Sequence, residues 1–186
     1  MKKSESLPSA IALRAVHLLE RLARLVRAEG HASDLAPAQW EALRYLSRAN
    51  RFSRTPAALS DYLGATRGTV SQTLIALEDK GLISKAINAR DRRSVELSLT
   101  AQGAAMLTAD AAQDIARDID ASGEARAFAQ ALEATLQQAL ERRGGRAFGV
   151  CRTCRHFRSG RRGHHCALLD APLSDADADR ICFEHT

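Results

Sequence analysis

The hydrophobic pattern of residues 64–100 changes from a helical period to strand-like alternation, and this change constrains the fold more than any other feature of the chain. Val70, Leu74 and Leu77 recur at i, i+4 and i+7, which places them on one face of a helix. The residues that follow form short apolar runs with β-branched side chains, a pattern typical of strands. The stretch therefore predicts a helix followed by a β-hairpin.

The other face of the predicted helix carries short hydrogen-bonding side chains where a solvated helix usually has Glu and Lys. Thr66 is positioned to cap the first turn, and Gly81 to end the helix in a left-handed conformation. Short Thr, Ser and Gln side chains suit the base edges and phosphates of a major groove. The candidate DNA contacts on this helix are Thr66, Arg67, Thr69, Ser71, Gln72 and Thr73.

An arginine cluster occupies the predicted turn of the hairpin, between strands at 82–87 and 95–99. Arg90, Arg92 and Arg93 surround a single aspartate there. Arginines at a hairpin tip can neutralise DNA phosphates or enter a narrow minor groove, although a charged turn can also be simply solvated. The three arginines are therefore further candidate DNA contacts.

Several motifs recur in a fixed order along residues 37–103. They are PAQWEAL at 37–43, LSDYLG at 59–64, TVS at 69–71, KGLI at 80–83, RDRRS at 90–94 and LTAQG at 99–103. In these motifs the chain resembles the MarR family of winged-helix transcription regulators. The resemblance implies a homodimer that binds a pseudo-palindromic operator in double-stranded DNA, with Arg90 toward the minor groove and Arg93 bracing the wing near Asp91. The family often has Asp where Asn88 stands, so one salt bridge of the wing is expected to be missing.

The resemblance also extends to helices outside these motifs. An amphipathic pattern at 9–29, a helix from Thr100 through Ile119 and a last helix at 124–143 resemble the family's dimerisation lobe. We expect the first helix to pack against a partner subunit, the alternative being the core of its own chain. We expect Phe128 and Leu136 to be buried in the last helix, and Asp110 to lie with two other aspartates on a solvated face. In the family's usual mode, a small aromatic or phenolic effector binds between the lobes.

The net charge of +5 is a property of one segment and gives little support to DNA binding by the helix. Residues 142–162 hold eight arginines and no acid, so the remainder of the chain carries −3. The case for a DNA interface therefore depends on local residues and motifs. Only 4% of the chain is aromatic, which favours a helical core of Leu, Ala, Ile and Val.

All four cysteines follow residue 145: they are Cys151, Cys154, Cys166 and Cys182. The segment is too small for a core of its own, so its cysteines predict a metal site that holds the fold together. A zinc ribbon usually has two CxxC pairs and this segment has one. Its scattered thiols therefore favour an iron–sulfur cluster, and the segment is similar to small cysteine-rich modules that carry one. Zinc and redox-active thiols stay open as alternatives.

These patterns predict a mainly α-helical chain with a small β-hairpin wing. Its parts are an N-terminal dimerisation helix and loop at 1–36, a winged helix-turn-helix at 37–103, dimerisation helices at 104–145 and a cysteine-rich metal-binding extension at 146–186. The predicted function is sequence-specific transcription regulation that senses redox or iron status through the cysteines. One alternative keeps the regulator, with a structural zinc site and a small-molecule pocket.

A second alternative, from another class, is a redox or interaction protein that uses the winged helix as a scaffold. Catalysis is not expected, because paired carboxylates in a defined frame, Gly-rich phosphate loops and nucleophile–base spacings are missing from the sequence. The N-terminal residues lack the apolar region of a signal peptide, and the apolar runs are too short for a membrane span. We therefore expect a cytoplasmic protein without a membrane partner.

Overall fold

The structure, a computed structural model, describes residues 7–28, 34–87, 94–160 and 163–186. Its helices are α1 (Ala10–Ala28), α2 (Pro37–Arg48), α3 (Pro56–Leu63), α4 (Arg67–Asp79), α5 (Ala101–Met106), α6 (Ala111–Ala121), α7 (Ala125–Arg142) and α8 (Asp175–Ala178). Its strands are β1 (Ile83–Ile87), β2 (Val95–Leu99), β3 (Gly149–Val150), β4 (Phe157–Gly160), β5 (Gly163–Cys166), β6 (Ala171–Leu173) and β7 (Ile181–Cys182). Among the described residues, no helix is both long enough and apolar enough to cross a membrane.

The predicted helix and hairpin are confirmed as α4 and the antiparallel pair β1–β2. Val70, Leu74 and Leu77 are buried on the inner face of α4. In the hairpin, Ile83 lies opposite Leu99, and the sheet closes over the same core. The most deeply buried apolar side chains of this core are Leu43, Tyr45, Leu46, Leu59, Val70, Leu74, Leu77 and Leu97. The winged helix-turn-helix is therefore a packed unit built from α2, α3, α4 and the hairpin.

Local sequence signals set the ends of these helices. The Thr66 Oγ1 accepts a hydrogen bond from the Thr69 amide at 3.2 Å, and Thr55 caps α3 in the same way. Gly81 follows α4 with φ of +69°, the predicted left-handed conformation. Gly103 admits close packing of α5 on the backbone just before β1, since a Cβ there would lie 2.0 Å from the Leu82 carbonyl oxygen.

The single helix predicted after Thr100 is wrong, because the chain breaks at Asp110. Helix α5 ends at Met106, a 3-10 turn spans Leu107–Ala109, and α6 starts at Ala111 with Asp110 as its N-cap. Asp110 is also buried, at 6% exposure, and is bound by Arg44 from α2. The expectation that it lies on a solvated face is therefore wrong, whereas Asp114 and Asp118 are exposed as predicted.

The flanking helices α1 and α7 form as predicted, but their apolar faces are largely open to solvent. Ile11 is 83% exposed on α1 and Leu136 is 58% exposed on α7. Phe128 is only partly buried. The expected burial of the α7 side chains is thus wrong for the single chain, in which the helix packs against too little of the remaining fold to cover its apolar face.

The cysteine-rich extension folds mainly as β-structure, which the sequence patterns did not predict. β4, β5 and β6 form an antiparallel sheet, and β3 pairs with β7. Phe148, Ile181 and Phe183 pack against the core of the winged helix. Phe148 meets Tyr62 of α3 edge-on, with ring centroids 5.1 Å apart. The extension is therefore docked on the winged helix through an aromatic contact.

Candidate nucleic-acid interface and cysteine site

The outer face of α4 carries the side chains that were predicted to contact DNA. Thr66, Arg67, Thr69, Ser71 and Gln72 are exposed, while Thr73 is partly buried. The apolar stripe on the opposite face fixes this orientation, since it is held in the core. The helix is the second of a helix-turn-helix, with α3 and Gly64 at φ +61° leading into it.

Some of the polar groups on this face already bond to the protein. The hydroxyls of Thr66 and Thr69 lie 2.9 Å apart, and the Thr73 hydroxyl donates to the Thr69 carbonyl oxygen at 3.0 Å. The helix cap thereby orders the first turn of α4. Arg67, Ser71 and Gln72 complete the exposed polar face of the helix.

The predicted wing contacts Arg90, Arg92 and Arg93 lie outside the described residues, as do Asn88 and Asp91. The strands that carry this tip are described and regular. Lys85 on β1 contacts Glu78 on α4, with 2.7 Å between Nζ and Oε2. The base of the wing is thus tied to the same helix that presents the polar face.

Three of the four cysteines meet in one apolar cluster. Cys151 and Cys182 are buried at its centre, and Cys166 packs at its edge. The interaction between the two thiols, together with burial, raises the pKa of Cys151, and the same interaction lowers the pKa of Cys182. Hydrogen bonds from Asn50, the Glu184 amide and Ser53 lower the pKa of Cys182 further, so Cys182 is the favoured thiolate of the pair.

The fourth cysteine is directed elsewhere. The Cys154 Sγ contacts the carbonyl oxygen of Thr186 at 3.6 Å. Within the described part of the chain, no three His, Cys, Asp or Glu side chains are grouped closely enough to hold a metal ion. The fold brings together the Cys151–Cys182 pair with Cys166 beside it, and Cys154 is not part of this cluster.

His164, one of four histidines near the cysteines in sequence, lies on strand β5 together with Cys166. His164 Nε2 is 3.1 Å from Asp175 Oδ1, and its ring packs against Phe157 at a centroid distance of 4.9 Å. Its Nδ1 is buried without a hydrogen-bond partner among the described residues. His164 and Cys166 are two residues apart on β5, and residues at this spacing share one face of a strand.

Among the described residues of the basic segment, two arginines form ion pairs with acidic side chains. Arg152 pairs with Asp179 at 2.7 Å. Arg146 lies 3.6 Å from Asp61 and 4.0 Å from the centroid of the Phe183 ring. These arginines attach the extension to itself and to α3, so part of the positive charge is structural.

A residue of the winged helix reaches into the cysteine cluster. Asn50, fully buried in the turn after α2, donates from Nδ2 to the Cys151 sulfur at 3.0 Å. Its Oδ1 accepts from the Phe52 and Ser53 amides at 3.1 Å and 3.0 Å. No sequence pattern indicates this role, because the contact joins positions 101 residues apart.

Comparison with known proteins confirms the resemblance for the central part of the chain: a sequence profile of the MarR family matches residues 33–94. None of the curated proteins compared matches the chain. Solved structures share its fold. S. aureus MepR in its DNA-binding conformation is 23% identical with a TM-score of 0.57. The match covers 72% of this chain and 98% of the MepR chain.

Two further solved structures share the fold. The S. aureus MepR–DNA complex is 21% identical with a TM-score of 0.52, over 72% of this chain and 98% of that chain. A MarR transcriptional regulator from Methanosarcina mazei Go1 is 22% identical with a TM-score of 0.51, over 72% and 99%. The fold is therefore that of MarR-type structures: a winged helix-turn-helix in a mainly helical chain.

Proposed function

We propose that this chain is a sequence-specific DNA-binding transcription regulator of the MarR type. The observation that carries the proposal is the exposed Thr, Ser and Gln face of α4, which lies inside the segment that matches the MarR family. One of the solved structures with this fold is a complex of S. aureus MepR with DNA. The family match and the polar helix face together support a regulator over an enzyme.

The α4 face suits base readout in a major groove. Gln72 is exposed at its centre and its amide can bond an adenine edge in the bidentate manner. Thr66, Thr69 and Ser71 are short enough to reach phosphates without holding the helix away from the groove. Arg90, Arg92 and Arg93 at the wing tip add phosphate or minor-groove contacts in this proposal.

The proposed active form is a homodimer on a pseudo-palindromic operator. Its support is the open apolar surface of α1 and α7, on which Ile11, Leu18, Leu25 and Leu136 are each more than two-fifths exposed. Exposed large apolar side chains along two helices mark a surface that a partner covers. The face between α1, α7 and the winged helix is also where a small effector would bind in this proposal.

The proposed signal is redox or iron status, read by the four cysteines. Thiolate sulfur is the donor that iron–sulfur clusters and zinc prefer, and the Asn50 N–H and Glu184 N–H bonds to sulfur suit a negatively charged site. Cys151, Cys166 and Cys182 would hold the group, with Cys154 as the fourth ligand after rotation. A cluster would supply one-electron redox chemistry and zinc would supply only a structural link.

Competition binding tests the DNA proposal. The full-length chain selects duplexes from a random pool, and the selected duplex then competes with a scrambled one at about 0.15 M salt. We expect selected DNA to bind at least about 1,000-fold more tightly. Gln72→Ala should reduce that preference about 5- to 150-fold, while Gln138→Ala, which changes another exposed Gln on α7, should not.

The alternative proposal, a redox or interaction protein on a winged-helix scaffold, predicts equal binding of both duplexes. Metal analysis and visible spectroscopy of protein purified without oxygen test the cysteine proposal separately. Iron with sulfide and a charge-transfer band supports the sensor. One colourless zinc per chain supports the structural site and removes the redox function.

A further inference from the structure

Two exposed arginines of the extension, Arg155 and Arg158, form a basic patch at the start of strand β4. We propose that this basic patch is a second DNA contact, which binds phosphates of the backbone beside the groove that α4 enters. The proposal rests on the proposed function, because it adds a contact to the same DNA complex. It assigns a partner to charge that lies outside the winged helix.

The two side chains of the basic patch are held close together. Arg158 Nη1 donates to the carbonyl oxygens of Arg155 at 2.7 Å and Phe157 at 2.9 Å, so its guanidinium lies over the backbone next to Arg155. The strand beneath is fixed by its pairing with β5, in which Arg158 lies opposite His165. A side chain that is already held in this way loses little further freedom when it binds an anion.

The acidic side chains of the extension do not neutralise the basic patch. All five of them come after residue 169. Each lies beside another basic side chain, in the pairs Asp170–His165, Asp175–His164, Asp177–Arg51, Asp179–Arg152 and Glu184–Arg146. The Thr186 carbonyl oxygen accepts from the backbone amide of Arg155 at 3.0 Å, and neither guanidinium of the patch forms an ion pair with a described residue. Two like charges held together repel each other, and a polyanion relieves that repulsion.

The extension that carries the basic patch lies along α3. The Phe148 ring meets the Tyr62 ring near the end of α3, with centroids 5.1 Å apart. Just before the start of α3, the Ser53 hydroxyl accepts from the Phe183 amide at 2.8 Å. In a helix-turn-helix the first helix crosses the DNA backbone while the second enters the major groove. The extension is therefore attached to the helix that crosses the backbone, which favours phosphates as the partner of its cations.

The salt dependence of DNA binding tests the proposal, with the full-length chain and the selected duplex of the competition experiment. Each neutralised phosphate steepens the plot of the log of the binding constant against the log of salt concentration by about 0.9. The double variant Arg155→Gln/Arg158→Gln should therefore have a slope that is shallower by about 2 per chain. Between about 0.05 M and 0.2 M salt, its loss of affinity should be about tenfold smaller per chain than that of the wild type.

The matched control is Arg142→Gln/Arg143→Gln. It removes the same two charges from exposed positions of the same basic segment, but at the end of α7 instead of in the extension. Its slope should differ from that of the wild type by less than about 0.5. The single variant Arg155→Gln leaves the side-chain bonds of Arg158 in place and should shift the slope by about 1. If the double variant does not fold, this single variant decides.

A slope of the patch variants equal to that of the wild type would overturn the proposal, and is the result expected if the basic patch is solvated or binds an acidic protein. An equal shift in the control variant would overturn it as well. The slopes are also measured on the scrambled duplex, because phosphates are present whatever the base sequence. Equal affinity for both duplexes, with the patch effect intact, refutes only the sequence-specific function. Preference for the selected duplex, with equal slopes, refutes only the patch.

Discussion

Asp110 joins the winged helix to the helices that follow it, and its replacement by Ala is the perturbation with the best-defined cost. Its two carboxylate oxygens accept from Arg44 Nε at 2.6 Å and Nη2 at 2.5 Å. The same Arg44 donates to the Val26 carbonyl oxygen of α1 at 3.1 Å. One buried ion pair therefore links α1, α2 and α6.

The stability cost of Asp110→Ala follows from the burial of the ion pair. The side chains of Arg44 and Asp110 are 12% and 4% exposed, so removal of the carboxylate leaves a buried guanidinium with one remaining acceptor. Breaking a buried pair in this way costs about 3–5 kcal/mol. That figure contains about 1 kcal/mol for the lost N-cap bond to the Ala112 amide, which is 3.0 Å long.

The pH dependence has a definite sign. Burial alone would raise the pKa of Asp110, but the hydrogen bonds from Arg44 and the Ala112 amide outweigh it and lower the pKa below its usual range. A carboxylate with a lowered pKa in the folded state stabilises the protein above the ordinary pKa of about 4, and that contribution is lost as pH falls through the folded value. The difference in the free energy of unfolding between wild type and Asp110→Ala should be constant near pH 7 and should become smaller in acid.

Urea unfolding followed by circular dichroism, at one fixed protein concentration, measures this difference. Asp114→Ala is the matched control, because Asp114 pairs with Arg117 on the surface of the same helix and should cost about 0–1 kcal/mol. A loss below about 1 kcal/mol for Asp110→Ala, or a difference that widens in acid, would refute the reasoning.

Three further predictions concern the proposed interface and dimer. Thr66→Ala should lower the free energy of unfolding by about 1 kcal/mol through loss of the α4 cap, measured by urea unfolding; no change would mean that the cap contributes nothing. Arg90→Ala should weaken operator binding in a mobility-shift titration and leave the circular dichroism spectrum unchanged, and unchanged affinity would count against the wing assignment. Leu136→Glu should shift a sedimenting dimer to monomer, while Gln138→Glu, at another exposed position of α7, should not; a wild-type monomer would contradict the dimer proposal.

The winged helix was predictable because its signals are local. The burial of Val70, Leu74 and Leu77 follows from their spacing, and the caps at Thr55 and Thr66 need only the next turn of helix. The exposed face of α4 follows from the same spacing, which is why the candidate contacts there are all at least partly exposed.

The remaining features depend on partners far away in the chain. Asp110 falls in a regular row with Asp114 and Asp118, and only Arg44, 66 residues earlier, separates its role from theirs. The strands of the extension are two to four residues long, too short for an alternating pattern to be recognised. Asn50 bonds to Cys151, 101 residues later in the chain, a contact that no periodicity encodes.

Contact between the polar face of α4 and DNA is tested most directly by backbone amide shifts of the full-length chain during titration with the selected duplex. We expect the largest shifts at residues 66–73 and at the wing, with the amides of α7 unaffected. Shifts confined to the arginines of the extension, with α4 unchanged, would contradict the account.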